Sequence, residues 1–242
     1  MVNPCDFMYK SEQRNCQPEW MDDPATDTVT LQHAVDDITK INHLLGGFKF
    51  TLQAIKNLIK NNGGKPVTIV DAGCGDGAML RYLEQHIAGA HIQFVGIDLS
   101  PRSVASAREK SEGLSRVRFR ESDILNIDSS TFTCDILTST LTMHHFKDEQ
   151  IVTFLKKFKE MASTAIVIND LHRSRLAYGF FKYFSPIFIK HEISRHDGLI
   201  SIAAAFKKAD FKRYSRAIGV HNDLVIWKWS FRYIWIIPTH ER

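Results

Sequence analysis

The glycine-rich segment Val70–Gly77, V-D-A-G-C-G-D-G, is the part of the chain whose residue types and spacing point most directly to chemistry. Glycines let the backbone turn tightly and let a ligand approach without a Cβ in the way. A helix that begins just after them presents free N–H groups and a positive dipole end, which suits an anionic group. Asp71 would repel a phosphate and attract an ammonium. The segment therefore predicts a site for a ligand that carries both a carboxylate and an amine.

The spacing of the glycines separates this segment from two common nucleotide-binding motifs. Gly73, Gly75 and Gly77 are one residue too close together for the dinucleotide pattern G-x-G-x-x-G, and the phosphate-binding pattern G-x-x-x-x-G-K-[ST] is not present. A nicotinamide-dependent oxidoreductase on a similar fold is thereby disfavoured, and it is kept as an alternative hypothesis.

Two histidines in the segment Met143–Phe146, M-H-H-F, are the candidates for acid–base catalysis. Histidine titrates near neutral pH and suits removal of a proton from a phenol or an enol. Because successive side chains on a helix diverge by about 100°, we expect at most one of His144 and His145 to face a substrate. The alternative interpretation is that both are packing or capping residues.

Candidate substrate contacts follow the fifth predicted strand. The segment Asn169–Arg173 lies on the same rim of the sheet as the two histidines, and it contributes His172 and Arg173 to the predicted substrate site. Arg173 is the predicted partner of a substrate anion.

An aromatic-rich insertion, residues 171–198, is expected to cover the acceptor pocket. Its aromatic side chains are Tyr178, Phe180, Phe181, Tyr183, Phe184 and Phe188. Tyr178 and Phe181 are the predicted substrate contacts, and the aromatic composition favours a bulky, flat or lipid-like acceptor. Packing in the core is the alternative interpretation of the same residues.

Strands and helices alternate along most of the chain. Short β-branched runs predict strands at residues 67–70, 92–97, 117–119, 134–137 and 165–168. Helices are predicted over residues 28–45, 48–59, 78–87, 100–112, 151–161 and 199–208. The tail, residues 224–237, predicts one further strand or a hairpin. This alternation predicts a doubly wound α/β fold whose parallel sheet is covered on both faces.

Composition limits the classes of partner. The chain has 242 residues, a net charge of +4 and basic residues scattered along its length, which does not predict a nucleic-acid binder. The chain has no stretch of 18 uncharged apolar residues, so we do not expect stable membrane insertion. The first ten residues lack the apolar run of a signal peptide, and the four cysteines show neither a CxxC pair nor metal-ligand spacing. We therefore expect a reduced, cytoplasmic protein without a metal site.

The segment V-D-A-G-C-G-D-G resembles the first motif of class I S-adenosylmethionine-dependent methyltransferases. That resemblance implies that the acid and the glycines hold the methionine part of S-adenosylmethionine, that Asp98 at the second strand binds the ribose hydroxyls, and that Asp123 after the third strand binds the adenine amino group. The implied cofactor contacts are Asp71, Gly73, Cys74, Gly75, Gly77, Asp98, Leu99, Asp123, Ile124, Ser139 and Thr140.

The same resemblance implies a domain organisation. It consists of a helical N-terminal lid, residues 1–62, and a Rossmann-like S-adenosylmethionine-binding domain, residues 63–242, with residues 171–198 as a cap over the substrate. The implied sheet is mostly parallel and seven-stranded, with a C-terminal antiparallel hairpin. Residues 1–28 are polar and irregular, and we expect them to form a loosely held arm.

Four further segments together resemble a bacterial subgroup related to the ubiquinone/menaquinone-type methyltransferases and often associated with type III polyketide synthases. These segments are Met143–Phe146, Asn169–Arg173, Arg195–Gly198 and Asn42–Gly47. The similarity implies O- or C-methylation of a small phenolic, quinone-like or polyketide-derived acceptor.

Two alternatives to a small-molecule methyltransferase remain besides the oxidoreductase. A methyltransferase acting on a macromolecule is disfavoured because the segment Thr138–Leu141 lacks the Asn/Asp-Pro-Pro-aromatic motif of many amino-methylating nucleic-acid enzymes. A catalytically inactive fold kept as a binding module is also consistent with the sequence. The sequence makes no prediction of the oligomeric state.

Overall fold

A seven-stranded mixed sheet forms the centre of the protein. The computed structural model describes residues 9–15, 17–23, 25–60 and 62–239. The strands are β1 (Val67–Ala72), β2 (Ile92–Asp98), β3 (Val117–Glu121), β4 (Cys134–Thr140), β5 (Ala162–Leu171), β6 (Leu224–Lys228) and β7 (Arg232–Pro238). Their order across the sheet is β3-β2-β1-β4-β5-β7-β6. The first five strands pair in parallel, and β7 is antiparallel to both β5 and β6. The predicted fold, including the C-terminal hairpin, is confirmed.

Helices cover both faces of this sheet. They are α1 (Thr28–Leu44), α2 (Gly47–Ile59), α3 (Ala78–His86), α4 (Pro101–Lys110), α5 (Asp148–Met161), α6 (Arg175–Phe188), α7 (Glu192–Ala204) and α8 (Lys208–Ala217). Local sequence sets several of their ends. The Asp27 carboxylate caps α1 by accepting the N–H groups of Val29 and Thr30, and the Ser100 hydroxyl caps α4, whose first residue is Pro101.

The prediction of a last helix over residues 199–208 is wrong. One helix, α7, begins earlier and ends at Ala204, and a second, α8, begins at Lys208. The apolar pattern did not show where α7 begins, because the first turns of this helix bury polar residues such as Ser194 and Asp197. In α8 the apolar stripe is thin: its large buried apolar side chains are Phe211 and Tyr214.

Each face of the sheet has its own apolar core. On one face, large side chains from α5, α8 and β7 pack together, including Phe158, Phe211 and Trp235. On the other face, α2 and α3 pack onto strands β1 and β2, with Ile55 and Leu83 buried among them. Helix α2 therefore belongs to the layer that covers the sheet, whereas α1 packs on α2 and α7.

The arm that precedes α1 is held more firmly than its sequence predicted. The guanidinium of Arg14 donates to the carbonyl of Ala204, to Asp148 Oδ1 and to the carbonyl of His144, at 2.8, 2.8 and 3.0 Å. Asp197 accepts the backbone N–H groups of Trp20 and Met21. The expectation of a loosely held arm is thus wrong for residues 9–15 and 17–23, and residues 1–8, 16 and 24, which include Cys5 and Cys16, lie outside the described residues. No helix among the described residues has the length and apolarity needed to cross a membrane.

Candidate functional site

The glycine loop after β1 has the backbone conformation that its sequence predicted. Gly73, Gly75 and Gly77 have φ values of +72°, +53° and +78°, which favour glycine. A Cβ on Gly73 would lie 2.4 Å from Cγ2 of Thr142, and one on Gly77 would lie 2.5 Å from Cζ of Phe119. A Cβ on Gly75 would meet nothing within 4 Å. The outer two glycines are therefore required by packing as well as by φ, whereas Gly75 borders open space that a ligand can fill.

Asp71 is a buried carboxylate beside this loop. It is 2% exposed, and its Oδ1 has no hydrogen-bond partner among the described residues. Burial, together with the nearby charge of Asp98, holds the pKa of Asp71 well above its usual range. A buried carboxyl oxygen without a partner is costly, and a cationic group of a ligand would supply the missing interaction.

Asp98 and Asp123 stand at the ends of β2 and β3, next to the loop. Asp98 Oδ2 accepts the N–H of Gly75 at 2.8 Å, and its Oδ1 accepts the N–H of Ser100 at 2.9 Å. Asp123 Oδ1 accepts the N–H of Leu125 at 2.9 Å. Both carboxylates therefore fix the backbone at the strand ends.

One cavity of about 400 Å³ joins the glycine loop to the cap. The predicted cofactor contacts that line it are Asp71, Gly73, Cys74, Gly75 and Thr140. The others lie outside its lining: Gly77, Asp98, Leu99, Asp123, Ile124 and Ser139. Of these, Ser139 is buried and donates to the carbonyl of Ala72, whereas Leu99 is exposed.

The two predicted catalytic histidines lie together on the cavity wall. Their rings stack with centroids 4.4 Å apart, and both line the cavity. Both rings therefore border the cavity, and the expectation that at most one of them faces a substrate stays a prediction. Residues Met143–His145 form a short 3₁₀ turn, and both rings turn Nε2 toward the carboxylate of Glu19.

Carboxylates surround this pair on several sides. Nδ1 of His144 lies 2.7 Å from Oδ1 of Asp170, and its Nε2 lies 3.6 Å from Oε1 of Glu19. Nδ1 of His145 lies 3.2 Å from Oδ2 of Asp22, and its Nε2 lies 4.0 Å from Oε2 of Glu19. We call these five residues the histidine cluster.

Charge within the histidine cluster is strongly coupled. Burial lowers the pKa of His144, but the Asp170 carboxylate and then Glu19 outweigh it and raise this pKa to about 10. Burial likewise opposes ionisation of Glu19 and Asp170, yet the neighbouring imidazoles hold both pKa values below their usual range. The two carboxylates therefore favour the protonated form of His144, which must lose that proton before it can act as the predicted base.

The predicted substrate contacts separate into two groups. His172 and Phe181 line the cavity, and Nδ1 of His172 accepts the indole N–H of Trp227 at 3.2 Å. Tyr178 stacks on Tyr9 and is not part of the lining.

The prediction that Arg173 binds a substrate anion is wrong. Its side chain is buried away from the cavity lining and donates to the carbonyls of Ser11 and Ala205 and to Asp210 Oδ2 at 3.2 Å. This arginine fastens the arm and the start of α8 to the end of β5. A basic residue at a strand end can serve either purpose, and the sequence could not tell a buried ion pair from a cavity wall.

Several polar residues of the cavity were missed by the sequence analysis. Among them are Glu19, Asn42 and Arg232. Arg232 is fully buried, and its Nη1 donates to Oδ1 of Asn169 at 3.1 Å. Burial lowers the pKa of Arg232 to about 10, and the nearby charge of Asp170 opposes that shift. Glu19 sits in a polar, aperiodic stretch with no pattern that could have marked it.

Part of the chain, including the glycine loop and the histidine pair, matches a known protein family. Residues 69–164 match the protein-family model described as a methyltransferase domain. A comparison with curated protein sequences found no match. The structure of the plantazolicin methyltransferase BpumL in complex with SAH superposes with a TM-score of 0.67 at 18% identity, covering 90% of this chain and 92% of that one.

Two other solved structures share the fold. Magnesium protoporphyrin IX methyltransferase (ChlM) from Synechocystis PCC 6803, with bound SAM, gives a TM-score of 0.53 at 14% identity, covering 90% of this chain and 88% of that one. The CurJ carbon methyltransferase gives 0.60 at 12% identity, covering 89% of this chain and 56% of that one. The prediction of a methyltransferase is confirmed by the domain match, and the predicted fold by these structures. The prediction of S-adenosylmethionine as cofactor agrees with both.

Proposed function

We propose that this protein transfers a methyl group from S-adenosylmethionine to oxygen or carbon of a small phenolic, quinone-like or polyketide-derived acceptor. The observation that carries the proposal is the shared cavity, which is lined both by the glycine loop and by apolar side chains of α1 and the cap. A methyl donor and an acceptor held in one cavity can be brought into the close, aligned contact that transfer requires.

Residues of the glycine loop fit the cofactor. The unpartnered Oδ1 of Asp71 would accept an N–H of the ammonium group of S-adenosylmethionine. The open space at Gly75 leaves room for the methionine part of the cofactor. Asp98 and Asp123 would hold the ribose and the adenine, each through the carboxylate that already fixes its strand end. When bound, S-adenosylmethionine supplies an electrophilic methyl group. BpumL in complex with SAH and ChlM with bound SAM support this assignment.

Apolar side chains form the part of the cavity assigned to the acceptor. Val35, Ile38, Phe180, Phe181, Ile189 and Ile202 all line it. Such walls bind flat, apolar molecules, and a few polar groups orient them. Here His172 and the guanidinium of Arg232 are suited to orient an acceptor hydroxyl or carbonyl, because both border the same space.

Removal of the acceptor's proton is assigned to the histidine cluster. A phenol or an enol becomes a stronger nucleophile when its hydroxyl proton is taken up by a neighbouring group. Glu19, His144 and His145 border the cavity, and Asp170 and Asp22 orient the two rings.

Calorimetric titration of S-adenosylhomocysteine into the wild type and two variants, Asp98→Ala and Asp71→Asn, tests the cofactor assignment. Charge-assisted hydrogen bonds contribute about 1.5–3 kcal/mol each, so we expect each variant to bind about 10- to 100-fold more weakly. Glu112→Gln, at an exposed position beyond α4, is the matched control and should bind like the wild type. Unchanged affinity in both site variants would refute the assignment.

The acceptor class is tested by transfer of radioactive label from methyl-labelled S-adenosylmethionine. Incubation with a panel of phenols, hydroquinones and polyketide lactones should yield labelled products from at least one of these acceptors. Labelling confined to peptide or RNA would favour the alternative of a macromolecular acceptor, and the small-molecule assignment would then fall.

A further inference from the structure

The histidine cluster has a geometry that an ion pair alone does not require. Each imidazole places Nδ1 against a carboxylate of its own, Asp170 for His144 and Asp22 for His145. Each directs Nε2 toward the same third carboxylate, Glu19. We propose that Glu19, His144 and His145 bind a divalent transition-metal ion of the zinc type.

The three donor groups are close enough to share an ion. One ligand atom from each residue can be chosen so that all lie within 4.8 Å of one another. Nε2 of His144 lies 3.6 Å from Oε1 of Glu19, and Nε2 of His145 lies 4.0 Å from its Oε2. Zinc bonds of about 2.0–2.1 Å in a tetrahedral site place ligand atoms about 3.3 Å apart. The remaining contraction falls mainly on His145, whose side chain is 26% exposed and therefore has room to move.

Outer contacts hold the donors in the orientation that a metal needs. Histidines that bind metals nearly always donate their other ring N–H to a carboxylate, a carbonyl or water. Asp170 is itself fixed, because its carboxylate also accepts the N–H groups of Leu171 and His144 at 2.7 and 3.2 Å. The hydroxyl of Ser201 donates to Oε1 of Glu19, which is 5% exposed.

Local charge also favours a cation. The cluster combines three carboxylates with two imidazoles, and two of the carboxylates, Glu19 and Asp170, are buried. A proton on His144 accounts for its own contacts with Glu19 and Asp170, but it leaves the alignment of His145 between Asp22 and Glu19 unexplained. A divalent ion bound to both Nε2 atoms and to Glu19 accounts for all of these contacts.

The cavity would give such an ion an open coordination position. Because all three ligands line the cavity, an acceptor hydroxyl could occupy that position. There the ion would lower the pKa of the hydroxyl, whose proton would pass to solvent water instead of to the cluster. The oxygen would then attack the methyl carbon while the bond from that carbon to the sulfonium sulfur breaks and S-adenosylhomocysteine leaves. This role rests on the proposed function, whereas metal binding itself does not.

Zinc titration of the full chain, with any histidine tag removed and metal stripped by chelator, tests the site. We expect one zinc per chain by calorimetry and by elemental analysis after gel filtration. Glu19→Gln and His145→Ala should weaken binding more than about 100-fold, and Asp22→Asn about 10- to 100-fold. His221→Ala, at an exposed position outside the cavity lining, is the matched control and should bind like the wild type.

Replacement of zinc by Co²⁺ provides a spectroscopic readout of the ligands around the ion, besides the measured affinity. A site with two histidines and a carboxylate should give visible absorption bands in the wild type and in His221→Ala but not in His145→Ala, whose folding is checked by circular dichroism. Wild type that binds no zinc, or binds it as weakly as His145→Ala, overturns the proposal.

Titration of S-adenosylhomocysteine into the metal-free protein separates the two proposals. Nucleoside binding without zinc binding removes the metal site and leaves the methyl-transfer function. Zinc binding without nucleoside binding does the reverse.

Discussion

The two sides of the cavity are built in different ways. On the cofactor side, backbone interactions hold the glycine loop and the strand-end carboxylates. The three alternating glycines have positive φ values, and the N–H groups of Gly75 and Ser100 donate to Asp98. On the histidine side, the site is assembled from the arm, the turn after β4 and the end of β5, and side-chain charges hold it together. The first side should therefore survive loss of the arm, and the second should not.

The strongest test of the backbone-built side is Gly73→Ala. Its positive φ costs about 1–2 kcal/mol in any residue with a Cβ, and contact with Thr142 at 2.4 Å adds an overpacking cost of about 1–3 kcal/mol. We expect a loss of about 2–5 kcal/mol in the free energy of unfolding by urea, together with loss of nucleoside binding.

Gly113→Ala is the matched control for that measurement. Its φ is +83°, but a Cβ there would meet nothing within 4 Å, so only the cost of about 1–2 kcal/mol from φ should appear. Equal losses in the two variants would mean that packing against Thr142 adds nothing, and that the loop is held by its φ values alone.

Arg14→Met tests the side that depends on the arm. Arg14 is nearly buried, stacks over Phe206 and donates to groups on three segments. Hydrogen bonds from a charged group contribute about 1.5–3 kcal/mol, so we expect a loss of about 1–3 kcal/mol. Hydrogen exchange of the Trp20 and Met21 amides should become faster, while exchange at the glycine loop and the affinity for S-adenosylhomocysteine stay unchanged.

The exposed pair of Arg175 and Glu12 gives the control for this variant. Their side chains are 73% and 69% exposed, so Arg175→Met should change stability by less than about 1 kcal/mol. If Arg14→Met weakened nucleoside binding as well, the two sides would form one cooperative unit and the comparison would fail.

The same contrast explains which parts of the site the sequence could predict. The segment Val70–Gly77 carries its chemistry in adjacent residues, and Asp98 lies at the same edge of the sheet because parallel strands end there together. Glu19 is 125 residues before His144 in the sequence and reaches it through an arm with no periodic pattern. The proposed metal site could likewise not be predicted from the spacing of its ligands, because Glu19 is far in sequence from His144 and His145.

The fold was predicted for similar reasons. Alternating strands and helices leave a strong local pattern, and each strand of the sheet was expected within a few residues of its position. Helix α8 was missed because its sequence is mostly polar, and Arg173 was misassigned because burial depends on distant neighbours.

A smaller effect distinguishes two roles of Asp71. Burial raises its pKa above the ordinary value of 3.8, so the ionised form costs folding free energy in the free protein at pH values above 3.8. Asp71→Asn should therefore raise the stability of the free protein at neutral pH and lower its affinity for S-adenosylhomocysteine. Thermal unfolding and calorimetry should show these opposite signs.

The pH dependence of binding provides the second half of that test. An ammonium binds the ionised carboxylate, so affinity of the wild type should rise with pH, by up to about 10-fold per unit below the raised pKa. This dependence should be flatter in Asp71→Asn. A variant that is both less stable and unchanged in binding would show that Asp71 serves the fold and not the ligand.

Gly198, inside α7 and at the end of the cap, tests whether the cap affects the cofactor side of the cavity. Gly198→Ala would gain up to about 1 kcal/mol from helix propensity, but its Cβ would lie 2.2 Å from Cζ of Phe181, so that ring must move. Gly179→Ala, with nothing within 4 Å, should keep the whole gain. We expect the free energy of unfolding to be lower in Gly198→Ala than in Gly179→Ala by about 1–3 kcal/mol, with nucleoside affinity equal in both. A cap that contacts only the acceptor requires equal nucleoside affinity, because Phe181 lines the cavity but is not one of the predicted cofactor contacts. Weaker nucleoside binding in Gly198→Ala would instead mean that the cap also positions the methyl donor.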